Sequence, residues 1–146
     1  MKTKAIIISI SGLALSKKEK KILLENKPWG LILFKRNIKS LNQLKRLILS
    51  IRKITKDKYF PILIDEEGGT VTRISRIIKH ELYQKLFGDI FRFNSKLSIN
   101  MYKKYLLDVI SFLKDIGINI NTVPVLDVLR KDTNKIIGNR SFSENK

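Results

Sequence analysis

A chain of 146 residues with 43% hydrophobic content is long enough to bury a real core, which excludes a disordered polymer. The absence of cysteine excludes disulfides and thiolate chemistry, and it suits a reducing cytoplasm, the location we expect. A net charge of +17 raises the question of a nucleic-acid or membrane partner. Neither is expected, because the lysines spread through every segment, as at Lys17, Lys18, Lys20 and Lys21, without interleaved aromatics.

Taken in order, Ala5 to Ile10 is an apolar run behind Lys2 and Lys4. It mimics a short leader, but Ser9, Ser11 and Gly12 interrupt it early, so a first buried strand is the better reading. No other stretch is long and apolar enough to span a bilayer. Ser16 and Glu19 form a capping box that opens a helix to about Glu25, broken by Asn26, Lys27 and Pro28. Gly30 to Phe34 reads as a second strand with a loop from Lys35 to Lys39. Ser40 caps the next helix, with Gln43 at the matching box position. Leu41, Leu44, Leu47, Ile48, Ile51 and Ile54 line one face of it at helical spacing.

Phe60 to Ile64 is the third strand. It is continuously apolar, as strands buried on both faces are, and it stops at Asp65, Glu66 and Glu67. Gly68, Gly69 and Arg73 follow. Carboxylates packed against a buried strand are costly to desolvate, so this loop is the first candidate site. In parallel α/β folds ligands bind at that end of the strands. Ser75 to Phe93 has no clear period. It carries the single histidine, His80, which is read as a solvated or core-edge residue in preference to a proton shuttle. A long helix begins near Ser95, with Tyr102, Tyr105, Leu106, Val109, Ile110 and Leu113 on its apolar face and Gly117 as its αL cap. Ile118 to Val123 is the fourth strand, ended by Pro124, and Val125 to Lys146 is a loop carrying Asp127 and Arg140. Alternating strands and helices predict a single α/β domain over residues 1–146 with parallel pairing.

Three segments resemble glycoside hydrolase family 3. Asp65-Glu66-Glu67-Gly68-Gly69 with Val71 and Arg73 is similar to that family's Asp-Gln-Glu-Gly-Gly-x-Val-x-Arg signature. Gly30 to Asn37 resembles its Gly-x-Ile-Leu-Phe-x-Arg-Asn strand. Pro124 to Val128 and Ile137 to Phe142 resemble its Ala-Pro-Val-Leu-Asp-Val and Ile-Gly-Asp-Arg-x-Phe pair. Three residues depart from the pattern: Glu66 stands for glutamine, Thr70 for a commonly basic residue and Asn139 for an acid.

The resemblance implies the N-terminal half of a (β/α)8 TIM-type barrel, since a whole barrel takes about 250 residues. It implies a retaining glycosidase of the β-N-acetylhexosaminidase type, acting on N-acetylglucosamine-containing saccharides from cell-wall fragments without cofactor or metal. Asp65, Arg73 and Arg140 would contact the sugar. Glu67, Gly68, Gly69 and Asp127 would support the site: Glu67 by pinning the glycine loop or burying its charge against an arginine, Asp127 by ordering the loop after strand four. No catalytic residue is assigned, because the family's histidine acid/base and aspartate nucleophile lie in later segments. The adjacent Glu66 and Glu67 are poorly arranged to straddle one bond. A sugar-binding or assembly subunit, a decaying remnant and, less favoured, a basic nucleic-acid binder stay open as alternatives. A separately encoded second half, or self-association through open strand edges, would complete the sheet.

Overall fold

The computed structural model describes residues 2–144, so the last two residues of the C-terminal loop lie outside them. Four strands, β1 (Lys4–Ser9), β2 (Pro28–Leu33), β3 (Ile62–Ile64) and β4 (Ile120–Asn121), form one sheet in the order β1-β2-β3-β4. Every pairing is parallel, as the strand–helix alternation predicts. Helices α1 (Lys17–Asn26) and α2 (Leu41–Thr55) make the first two crossovers, and α3 (Gln84–Phe93) and α4 (Ser95–Ile116) share the third.

The caps behave largely as read. The Ser16 hydroxyl accepts from the Glu19 N–H, and the Glu19 carboxylate accepts from the Ser16 N–H at 2.8 Å. In α2 the Ser40 hydroxyl accepts from the Gln43 N–H, but the Gln43 side chain reaches the Lys39 N–H instead of closing the box on Ser40. Gly117 ends α4 at φ +97. Leu44, Leu47, Ile48 and Ile51 of α2 are buried in one core with Leu31 and Leu33, Ile62 and Ile64, and Val109, Leu113 and Ile116 of α4. Ile110, expected on the buried face of α4, is half exposed.

Three further expectations are corrected. β1 is not a buried strand: five of its six residues are exposed, because it is an edge paired only with β2. Ser75 to Phe93 is not uniformly irregular, since its second half is α3. The N-cap of α3, Tyr83, offers no side-chain hydrogen bond, so the usual start signal is missing. β4 spans two residues, not the six expected. Asparagine side chains extend its pairing: Asn119 Oδ1 accepts from the Ile62 N–H at 2.7 Å, and Asn121 takes the Glu66 N–H and donates to the Glu66 carbonyl.

Candidate sugar-binding site

At the C-terminal end of the sheet, the loop after β3 sets its three carboxylates on three different partners. Asp65 Oδ2 takes the Arg73 Nη2 at 3.2 Å, and Oδ1 accepts from the Thr122 hydroxyl at 2.7 Å. Glu67 is buried and meets Arg140 through both oxygens, with Nε at 2.7 Å and Nη2 at 2.9 Å. This bidentate pair raises the Arg140 guanidinium above its ordinary value; burial opposes the shift, and the Glu67, Asp127 and Asp65 charges reinforce it. Asp65 pairs directly with Arg73 and its charge also acts on Arg140, so the three lie at one end of the sheet, each between a fifth and a quarter exposed.

Glu66 points the other way, into the interior. Its Oε2 accepts from the backbone N–H groups of Arg73 at 2.7 Å and Ile74 at 3.0 Å, and its Oε1 lies 2.9 Å from His80 Nε2. Burial pushes the Glu66 carboxyl up, but His80, the nearby Thr72 hydroxyl and the two amides together outweigh it and hold the group below its ordinary value. Of the two expected settings for His80 the core edge holds: its side chain is 15% exposed and paired with the most buried carboxylate described.

The glycines permit this turn. Gly68 has φ +84, and a Cβ there would sit 2.0 Å from the Leu82 carbonyl oxygen. Gly69 is also left-handed, at φ +57. Gly68 and Val71 pair across the turn, with the Glu67 N–H bonded to the Val71 carbonyl. Two of the departures from the family pattern meet: the Thr70 hydroxyl donates to Asn139 Oδ1 at 3.2 Å. A neutral hydrogen bond stands there.

Asp127 acts on the site only through its charge, which reaches Arg140. It is exposed, and among the described residues its carboxylate takes no hydrogen bond; its main-chain carbonyl accepts from the Ser141 hydroxyl. The C-terminal loop is ordered mainly by Gln84, which the sequence reading missed. Buried in the first turn of α3, Gln84 exchanges bonds with the Val125 backbone and donates to the Arg140 carbonyl at 2.5 Å. Asn37 was missed likewise. Its amide holds the Ile10 and Gly12 carbonyls and caps the Phe34 N–H, locking the ends of β1 and β2. The Phe34 ring then carries two guanidiniums, Arg36 at 4.7 Å and Arg73 at 5.6 Å. A hollow of about 600 Å³ lies at the opposite end of the strands, between Trp29 and Tyr59, and touches none of these residues.

The Glycosyl hydrolase family 3 N terminal domain model matches residues 3–146. The chain belongs to glycosyl hydrolase family 3. Within the family it is 43% identical over 68 residues to a β-hexosaminidase of Idiomarina loihiensis, covering 47% of this chain and 20% of that protein. A Hydrogenovibrio crunogenus β-hexosaminidase matches at 28% over 137 residues, 94% of this chain and 38% of its own length. The solved NagZ of Neisseria gonorrhoeae in complex with N-trifluoroacetyl-D-glucosamine superposes with a TM-score of 0.85 at 29% identity, over 98% of this chain and 42% of that one. The chain thus spans less than half the length of these family members.

Proposed function

We propose that this chain is the sugar-binding first half of a (β/α)8 glycosidase of the β-N-acetylhexosaminidase type, whose substrate is an N-acetylglucosamine-containing saccharide. The observation that carries the reading is the Asp65–Arg73 pair beside Arg140 at the C-terminal end of the strands. Asp65 offers a charged acceptor for sugar hydroxyls, and each of its oxygens keeps a further lone pair after bonding Thr122 and Arg73. Arg140 spends Nε and Nη2 on Glu67 and keeps Nη1 for a carbonyl or hydroxyl oxygen. Glu67, Gly68 and Gly69 shape the loop that presents them.

Cell-wall fragments as the source of substrate, and a cytoplasmic setting, belong to the same proposal; the likeness to a NagZ solved with an N-acylated glucosamine supports the sugar class. Among the described residues no helix is long and apolar enough to cross a membrane. Among residues 1–146 we assign binding, not bond cleavage. Titration calorimetry with N-acetylglucosamine tests this: the wild type binds weakly, and Asp65→Ala removes measurable binding. Equal affinity of wild type and Asp65→Ala would overturn the site. Turnover of an aryl β-N-acetylglucosaminide by this chain alone would overturn the division of labour.

A further inference from the structure

Glu66 and His80 lie 14 residues apart and meet on the interior side of the β3 loop. A carboxylate only accepts, and Glu66 spends its second oxygen on two backbone amides, so the proton between the pair sits on His80 Nε2. The other ring nitrogen, Nδ1, is buried without a partner among the described residues, and so is the Tyr105 hydroxyl of α4. The two rings stand 5.8 Å apart. Burial, with the Glu66 charge nearby, pushes the Tyr105 phenol up to about 12, so it stays a neutral donor.

The amides that Glu66 holds are those of Arg73 and Ile74, and Arg73 is the residue whose guanidinium reaches Asp65. We propose that Glu66 and His80 are a coupled positioning pair: His80 donates from Nε2 to the buried carboxylate, and the carboxylate fixes the Arg73 backbone so that its side chain meets Asp65. Neither residue touches the sugar. The proposal rests on the reading of Asp65 and Arg73 as sugar contacts, but its first two readouts do not.

The first readout is the nitrogen spectrum of the imidazole. Nε2 carries a proton in the wild type at neutral pH. In Glu66→Gln the two amides keep the carbonyl oxygen, the side-chain NH₂ faces the ring, Nε2 becomes the acceptor and the proton moves to Nδ1. A bare Nε2 in the wild type, or an unchanged tautomer in Glu66→Gln, overturns the pairing. The second is hydrogen exchange at the Arg73 and Ile74 amides. His80→Ala leaves a buried charge short of a partner and speeds both; adding Glu66→Gln removes the charge, keeps the acceptor and restores protection. Additive effects in that cycle overturn the coupling. The third is calorimetry: His80→Ala weakens N-acetylglucosamine binding about tenfold, and the double variant recovers most of it. A wild type that binds no sugar sinks the proposed function, while tautomer and exchange still decide the pair. If His80→Ala does not fold, the wild type and Glu66→Gln suffice for the tautomer.

Discussion

Single residues decide how the β3 loop works, and two of them carry its strain and its charge. Gly68 sits at φ +84 with the Leu82 carbonyl where a side chain would go. Gly68→Ala therefore combines backbone strain with a clash that only movement of the Leu82 peptide relieves. We expect a loss of about 2 kcal/mol or more in urea unfolding, whereas substitution at Gly12, which has open space around it, changes little. Arg140 presents the second case. Removing it leaves Glu67, almost wholly buried, facing no cation. Arg140→Ala is expected to cost about 3 kcal/mol in the same measurement, and Arg140→Ala with Glu67→Gln less than that, because the desolvated charge goes too. A double variant as unstable as the single one would mean that packing, not charge, is what Arg140 supplies.

At the scale of the element, legibility followed local signals. Ser16 and Glu19, the 3.6-residue spacing of α2 and the αL glycine after α4 are short-range chemistry, and the strands and helices they bound were readable from the chain. The Asp65-Glu66-Glu67-Gly68-Gly69 loop was readable because charges follow a buried strand without a break. α3 was not, although Leu86, Phe87, Ile90 and Phe91 recur at helical spacing, since Tyr83 makes no cap and Gly88 sits mid-helix; its place depends on contacts with residues far along the chain, such as Gln84 with Val125 and Arg140. His80 escaped for the same reason, because no period links position 80 to position 66. The α1 cap also yields a pH prediction. Burial pushes Glu19 up, but the bonds from the Ser11 and Ser16 backbones and hydroxyls together outweigh it and bring the group down to about 2. Its folded value lies below the ordinary one near 4.5, so the bonds stabilise the chain above that pH and are lost as pH falls from 4.5 toward 2. Glu66 acts with the same sign. Glu19→Gln should flatten part of the acid limb of a stability–pH curve, while Glu19→Ala should cost about 1 kcal/mol at pH 7.

The whole molecule is set by two opposed features. The sheet ends at β1 and β4, and β1 leaves Ile6 46% and Ile7 47% exposed, an apolar edge of the kind that recruits another strand. Against this, a net charge of +17 repels a second copy of the chain. Salt separates the two effects, because ionic strength of about 0.1 M screens exposed charges beyond about 10 Å and leaves apolar contact intact. Light scattering coupled to size exclusion should therefore find a monomer in dilute buffer. Self-association should grow as salt is raised, and Ile7→Lys should suppress it. A separately encoded second half with an acidic face would bind this edge with the opposite salt dependence, as would a nucleic acid, whose affinity falls steeply with salt. A chain that stays monomeric at every salt concentration and binds no hydrophobic dye would show that the β1 edge is closed by its own twist and flanking lysines, and that the open sheet needs no partner.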